Sequence, residues 1–409
     1  MILAIDLGST SFKSALFDER LRLVAERHEP LRYRFGTGGR VELAVSEVER
    51  AMQAILPRHH RPHVIALTSQ AQTFTVVNAR GRAVRPFVSW QDQRAGQAAA
   101  RLRRELPDFA EHCSFADLLP ALQISQIAHL PLQDGEMPLL LPTYFVRRWT
   151  GENVTDDNLA AMSGLYSLRE RQWWDAALRA VGLREAQLPR VIPIGQVAGL
   201  TPRNEFSLPV GVPVVLAGND QTAGAYGARL EENGALLITL GTAQVAYRCV
   251  ERLPASKPGV VRGPYPGGRF YRMAADAWGG NLINWAETVL SGCSTDEAFF
   301  AQAARAPAGC RGLVFDPERG EWRGLGLHHM TADLARSILE ALSARMAQLV
   351  NQLGGVGRRF VWVAGGGSKQ PLWRAITGER LGVRLRPTAA TPLVGAARMA
   401  LAALRRHEG

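Results

Sequence analysis

The chain has 409 residues, 46% of them hydrophobic and 21% charged, with a formal net charge of +11. That length suits about two domains with sizeable cores. The basic balance, carried almost wholly by Arg, suits anionic partners such as nucleotides or phosphorylated sugars. Its simplest reading is still a solvated Arg-rich surface. No basic run interleaved with aromatics, no zinc-finger spacing and no RNP-like motif points to nucleic acid. No apolar stretch approaches 18 residues, so no membrane-spanning helix or membrane partner is expected.

The four cysteines, Cys113, Cys249, Cys293 and Cys310, form no CxxC pair and read as reduced thiols of a cytoplasmic protein. The cluster "HHRPH", His59 to His63, has metal-binding residue types but reads more simply as a polar loop before a strand. The N-terminus opens on strand-like "ILAID", with an early acid that a signal peptide would not carry.

In chain order, "ILAI", "DLGSTSFK" and "SALFD" predict a hairpin whose glycine turn bears an acid, three hydroxyl residues and a lysine. "LRLVAERHEP" predicts a third strand. "SEVERAMQAILP" predicts a helix with Ser46 as N-cap and Glu49 closing a capping box, and "HVIALTS" the next strand. Residues 234–248, "GALLITLGTAQVAYR", repeat the first hairpin's order: apolar strand, Leu-Gly-Thr turn, strand. Gly8 and Gly241 thus head two similar hairpins, which implies an internal duplication at domain scale. Leu334, Ile338, Leu342, Met346, Leu349 and Leu353 recur at helical spacing, and Gly354 and Gly355 end that helix. "RRFVWVAGGGSKQPLWRAITGERLG" then reads as strand, triple glycine, helix. Strands alternating with helices predict α/β layers. The domain junction is expected near residues 229–234, giving domains 1–229 and 234–409.

Three Gly-rich turns follow predicted strands, at Gly8, Gly241 and Gly365 to Gly367. Glycine lets backbone N–H groups approach phosphate oxygens, and a helix N-terminus favours anions. The P-loop pattern GxxxxGK[ST] is absent, as is GxGxxG after the first strand. Asp6 ends the first strand; it reads as a turn residue or as a holder of Mg²⁺, through water, beside phosphates. Asp220, in "VVLAGNDQTAGAYGARL", reads either as a helix N-cap or as a carboxylate beside a ligand, with the surrounding glycines letting the helix start pack close to that ligand.

These segments together resemble the FGGY family of carbohydrate kinases, within the actin-like ATPase superfamily. The resemblance is carried, in family order, by "DLGSTSFK", by "TSQAQTFTVVNARGRAVRPFVSWQDQRA" with Trp90, Asp92 and Arg94, by "LLLPTYFVRRWTGENVTD" and by "AGNDQTAGAYGA". It continues through "LGTA", "GEWRGLGLHHMTADLARSILE" with Asp333, Ser337 and Glu340, and "AGGGSKQPLWRAI". It implies an α/β fold of two actin-like (ribonuclease H-like) domains that close over a cleft holding ATP and substrate. It also implies ATP-dependent phosphorylation of a hydroxyl on a small neutral sugar or polyol. Asp220 would be the general base, and Gln221 would contact the reacting hydroxyl. Ser9, Thr10, Ser11 and Lys13, with Gly8, would hold nucleotide phosphates, and Gly241 and Thr242 would do so from the second domain. Gly366, Gly367 and Lys369, with Gly312, would lie on the nucleotide side, and Asp6 would serve the Mg²⁺.

The chain is short for the family. Residues 104–139 lack a clear copy of a family signature bearing Lys and Trp, the loop 311–320 is compressed, and the usual tail is mostly missing. Such pieces often shape a sugar pocket or a dimer surface, so a homodimer is one possible assembly. Gln70, Ala71 and Gln72 stand in the substrate segment; xylulokinases carry Met-His and glycerol kinases Arg-Glu where this chain has Ala71-Gln72, although "WQD.R" and Asp220-Gln221 look closer to glycerol kinases. Trp278 reads as an apolar face for a sugar or as a core residue. The alternative function is a degenerate relative that binds nucleotide or sugar as a regulator; the shortened loops favour it, and the retained Asp6, Asp220 and hydroxyl-bearing turns oppose it.

Overall fold

The opening apolar runs pair as their patterning requires. In the computed structural model, which describes residues 1–57, 60–202, 206, 208–233, 236–357 and 360–407, strand β1 (Ile2–Leu7) and strand β2 (Ser11–Phe17) form an antiparallel hairpin with Asp6 opposite Lys13. His59, part of the histidine cluster, lies outside the described residues. Strand β3 (Leu23–Pro30) pairs with β2, and β4 (Val64–Ser69) runs parallel to β1. With β5 (Val197–Leu200) and β6 (Pro213–Asn219), the sheet order is β5-β6-β4-β1-β2-β3.

β1 is buried along its whole length because both faces of this sheet are covered. Leu3, Ile5 and Leu7 pack on one side with the helices Val45–Ile55 and Leu141–Thr150. Ile2 and Ala4 pack on the other, against Leu393, Ala396, Ala397 and Ala400 of the helix Pro392–His407. The first of these helices corrects a sequence expectation: its N-cap is Ala44, in extended conformation and with no side-chain cap. Ser46 falls inside the first turn, and Glu49 binds the Tyr144 hydroxyl at 2.7 Å and Arg148 at 2.9 Å instead of closing a capping box.

The second sheet repeats the plan. Strand β7 (Leu236–Leu240) pairs antiparallel with β8 (Gln244–Val250) and parallel with a later strand, Val361–Ala364. Counting Arg269–Asp276 as β9, Val361–Ala364 as β10 and Leu385–Pro387 as β11, the strands run β9-β8-β7-β10-β11, with Val261–Tyr265 at the edge beside β9. The first sheet has the same arrangement in β3-β2-β1-β4-β6, so the duplication read from the two hairpins extends to sheet topology. The helix Thr331–Gln352 buries Ile338, Leu342, Met346 and Leu349 as its spacing predicts, and Gly354 and Gly355 follow it with φ of 84° and 75°.

Two compact units result. One holds Met1–Arg229, Val250–Tyr271 and Ala390–Gly409; the other holds Leu230–Cys249 and Arg272–Ala389. The chain crosses from one unit to the other more than once. The final helix joins the first unit because its small and apolar residues complete the uncovered face of the first sheet.

Candidate functional site

Asp220 opens the helix Asp220–Gly227 at the end of β6, but it does not cap it. Asn219 is the cap: its Oδ1 accepts the Thr222 N–H at 2.9 Å, and its Nδ2 donates to Asn158 Oδ1 at 2.8 Å. The Asp220 carboxylate is thereby left to other partners. Its Oδ1 accepts the Gln221 backbone N–H at 2.8 Å, and the Gln221 side chain hydrogen-bonds to it as well. Burial raises the proton affinity of Asp220, against the pull of Gln221 and Lys13. Burial also raises Asp6, the Asp220 charge raises it further, and Lys13 opposes both. The strand ends of β1 and β2 and the start of this helix thus gather two carboxylates and one ammonium in the first unit.

Packing accounts for Gly227, one of the glycines that follow Asp220. A Cβ on Gly395, in the final helix, would fall far inside contact distance of the Ala223 carbonyl oxygen. A Cβ on Gly227 would lie 3.2 Å from Gly395 N and from Thr391 O. Small residues here let two helices of the first unit cross with backbones nearly touching. Arg398 adds a hydrogen bond to the Tyr226 carbonyl and lies 4.5 Å over its ring.

The Asp6 surroundings fit a divalent cation. Asp6 Oδ1 is buried with no hydrogen-bond partner. Gly8 borders the same space: a Cβ there would stand 3.0 Å from Ser11 O and 3.8 Å from Asp6 Oδ2. Among the described residues no group of three or more His, Cys, Asp or Glu side chains forms a metal cage. That suits Mg²⁺, which takes one or two carboxylates and completes its shell with water and phosphate oxygens. The hydroxyl turn stays open, with Thr10 exposed and Ser9 and Ser11 half-buried.

On the expected substrate side, Gln70 is buried, its Nε2 lies 3.4 Å from Gly8 O, and its Oε1 has no hydrogen-bond partner. Ala71 packs against an apolar cluster. Gln72 is buried in the left-handed region at φ 69°, where its Nε2 donates to the Met162 carbonyl and its Oε1 accepts the Gln123 N–H at 3.2 Å. Both ends of that amide are spent inside the protein. Asp92 and Arg94 are likewise committed to each other, at 2.5–2.9 Å, with Glu42 2.7 Å from Arg94 and Val41 N–H 2.7 Å from Asp92. Burial alone would raise the Asp92 carboxyl, but Arg94 and the Val41 N–H hold it below the usual range. Trp90, two residues before Asp92, keeps 43% of its surface exposed.

Sequence reasoning missed Gln126, because residues 104–139 offered no recognisable signature. Its helix, Gln123–His129, is buried, its Nε2 donates to Asp92 Oδ1 at 3.2 Å, and its Oε1 is buried without a partner. It missed Asn158 as well, whose buried amide ties Asn219 to Thr222 and so braces the turn before Asp220.

In the second unit, Gly241 and Thr242 form the turn between β7 and β8, and their carbonyls accept N–H groups of Gly280 (2.7 Å) and Asn281 (3.3 Å). A Cβ on Gly279 would lie 2.6 Å from Gly241 O, so that glycine is needed for close packing of the following helix. Gly366 faces open space, whereas Gly367 is buried under Trp373, which accounts for its lack of a side chain. Lys369 is exposed beside them, Gly312 sits in an open turn at φ 88°, and Trp278 is half-buried.

Known proteins share this frame. The FGGY family of carbohydrate kinases matches in its N-terminal domain at residues 1–113 and 131–227 and in its C-terminal domain at residues 236–404. The chain is 27% identical to the xylulose kinase of Escherichia coli (strain K12), over 98% of this chain and 89% of that one. It is 22% identical to the L-fuculokinase of Salmonella typhi, over 97% and 91%. The crystal structure of gluconate kinase from Lactobacillus acidophilus superposes with a TM-score of 0.89 at 18% identity, covering 100% of this chain and 90% of that one, a likeness of fold.

Proposed function

The chain belongs to the FGGY family of carbohydrate kinases, and from that premise we propose that Asp220 is the base of an ATP-dependent phosphotransfer to a hydroxyl of a neutral sugar or polyol. It is an ATP-dependent carbohydrate kinase with the two-domain actin-like ATPase fold of that family. The observation that carries the assignment of Asp220 is its release from capping: Asn219 takes that duty, and a carboxylate of raised proton affinity is left beside Asp6 and Lys13.

In this reading Asp220 accepts the proton of the acceptor hydroxyl as its oxygen bonds to the γ-phosphorus of ATP and the bond to the β–γ bridging oxygen breaks, releasing ADP. Gln221, hydrogen-bonded to Asp220, fixes the orientation of base and hydroxyl. Lys13 and the open Gly8–Ser11 turn bind phosphate oxygens, and the Gly241–Thr242 turn and the open side of Gly366 serve the nucleotide. Asp6 would hold Mg²⁺, directly or through water; when bound, the ion supplies neutralisation of phosphate charge. Phosphoryl transfer asks little covalent chemistry of the protein, so positioning and charge carry the rate.

A neutral acceptor is favoured by the absence of a charged grip at the substrate segment. Ala71 packs on apolar residues, Gln72 is spent on backbone groups, and the Asp92–Arg94 pair neutralises itself. Gln70 Oε1 is a buried acceptor without a partner, which suits a hydroxyl donor. The four free, buried cysteines suit a reducing compartment such as the cytoplasm. The test is ATP consumption by the wild-type chain against a panel of pentoses, hexoses, polyols and sugar acids. Turnover with a neutral sugar or polyol is expected, and turnover confined to sugar acids would sink the neutral-acceptor assignment.

A further inference from the structure

Two half-buried arginines of the second unit meet carboxylates: Arg336 pairs with Glu340, and Arg345 pairs with Asp276 and Glu318. Arg248 on β8 and Arg272 on the neighbouring β9 are half-buried too, but among the described residues neither makes an ion pair. Both reach one turn, Gly354-Gly355, at the end of the helix Thr331–Gln352. Arg248 Nη2 donates to the Gly355 carbonyl. A Cβ added to Gly354 would stand 3.3 Å from Arg272 Nη2 and 3.9 Å from its Nη1 and Cζ. The Nε of each arginine is buried without a hydrogen-bond partner. The turn itself is open: Gly354 is exposed, and a Cβ on Gly355 would meet nothing within 4 Å.

The charges here do not cancel. The end of the helix Thr331–Gln352 supplies about half a negative charge through its last carbonyls, against two full positive charges. About one and a half positive charges are left over by that sum. Burial, and then the Arg272 charge, lower the proton affinity of Arg248, yet a guanidinium stays charged at any physiological pH. Like charges held together out of water are costly unless a counter-charge joins them. This place is not the nucleotide turn of the same unit. Across the β7–β8 hairpin Leu240 faces Gln244 and Leu236 faces Arg248, so Arg248 stands at the end away from Gly241. Four residues of strand separate Gln244 from Arg248, roughly 13 Å at the usual rise.

We propose that Arg248 and Arg272 form an accessory site for a phosphate group at the Gly354-Gly355 turn. A phosphate ester carries about 1.5 to 2 negative charges at neutral pH, which matches the uncompensated charge in sign and size. The planar guanidinium presents paired N–H donors that suit two phosphate oxygens at once. Arg272 has those donors to give, since its terminal nitrogens bond no described residue and are not enclosed as its Nε is. Arg248 keeps one terminal nitrogen on the Gly355 carbonyl, which fixes its plane beside the turn.

The experiment is thermal unfolding and calorimetric titration of the full chain in chloride, inorganic phosphate or ribose 5-phosphate at matched ionic strength. A saturating non-hydrolysable ATP analogue is present throughout to occupy the nucleotide turns. The melting temperature of the wild type should rise saturably with inorganic phosphate. Arg272→Gln removes one like charge, so in chloride it should melt at or above the wild type. It should also bind phosphate roughly tenfold or more weakly, as loss of a charge-assisted hydrogen bond does. A strut serving only the helix end would give the reverse: a lower melting temperature in chloride and an unchanged phosphate increment. In case Arg272→Gln does not fold, Gly355→Asp sets a carboxylate of the chain's own beside the two guanidiniums. It should melt above Gly355→Asn in chloride and lose the phosphate increment that Gly355→Asn retains. No saturable increment in the wild type would overturn the site, as would an equal increment in Arg272→Gln or equal behaviour of the two Gly355 variants. Equal affinity for the two probes assigns recognition to the phosphate group alone, and tighter ribose 5-phosphate assigns it to a phosphorylated sugar; both support the site.

Discussion

Asn219 caps the helix that Asp220 begins, accepting the Thr222 N–H at 2.9 Å, and the division of labour between these neighbours sets the chemistry of the turn. Asp220→Asn should keep the cap, the fold and substrate binding while kcat falls by about 10²–10⁴, the usual loss for a general base. Asn219→Ala should instead cost about 1 kcal/mol of stability through the lost cap. Thermal unfolding and steady-state kinetics of both variants separate the two roles. Full turnover by folded Asp220→Asn would remove that carboxylate from the mechanism.

Activity and this pair's contribution to stability should run in opposite directions with pH. Asp6 and Asp220 are both raised, by burial and, for Asp6, by the neighbouring charge, so they hold protons well above the ordinary carboxylate range. The base must be ionised to work, so kcat should fall as pH drops from 8 through the slightly acidic range. A carboxyl raised in the folded state binds its proton more tightly there than when unfolded. Its stabilising contribution is therefore full at low pH and lost as pH rises through the folded value. Asp156, buried and pushed up to about 7, acts in the same sense. The pH dependence of the melting temperature, compared between wild type and Asp156→Asn, checks the sign: the wild type should lose more stability between pH 5 and 8 than the variant does.

Metal dependence tests the orphaned oxygen at the end of β1. Asp6→Asn keeps the shape and removes the charge beside Gly8. Activity should fall and the Mg²⁺ concentration for half-maximal rate should rise severalfold. An unchanged Mg²⁺ titration at wild-type rate would leave Asp6 a turn residue.

The frame was legible in the sequence because it rests on local pattern: apolar runs around Gly8 and Gly241, and the helical spacing from Ile338 to Leu349. Long-range packing was not. Nothing in "AGNDQTAGAYGA" announces that its small residues answer to Gly395, 172 positions after Ala223. The inward-turned amide of Gln72 was hidden too, since a residue type states its donors and acceptors but not whether solvent, substrate or backbone receives them. Ser46 failed as a cap because the preceding Ala44 already provides the extended residue at which the helix begins. Gln126 carried no signal, because a glutamine in an unmatched segment has many bland readings.

Gln72 should behave as a positioning residue. Its amide bridges the Met162 carbonyl and the Gln123 N–H, two segments distant in sequence, from a left-handed backbone. Gln72→Ala would leave two buried backbone groups without partners, at about 1–3 kcal/mol for each unsatisfied group. Lower thermal stability, with kcat and KM both disturbed, is expected. Gln72→Glu should restore the acceptor toward Gln123 but set a carboxylate against the Met162 carbonyl, so it should rescue little. A selective rise in KM at wild-type stability would instead mark Gln72 as a direct substrate contact.

Gly395→Ala puts the packing account at its sharpest. The added methyl would collide with the Ala223 carbonyl oxygen, which belongs to the backbone of the helix that Asp220 opens. No rotamer change relieves a clash with backbone, so the final helix must move away from the first sheet. Its Leu393, Ala396, Ala397 and Ala400 would then part from Ile2, Ala4 and Ala217. Overpacking typically costs about 1–3 kcal/mol and exceeds that where backbone must shift. Gly224→Ala is the matched control: it lies on the facing helix, the one that Asp220 opens, and its nearest neighbour, Pro392 N, would stand 4.0 Å from the new Cβ. Thermal denaturation should show Gly395→Ala strongly destabilised and Gly224→Ala close to wild type. Reduced kcat in Gly395→Ala at temperatures where it is still folded would show that the helix crossing also sets the aim of Asp220. Equal melting temperatures for the two variants would refute the close crossing of these helices.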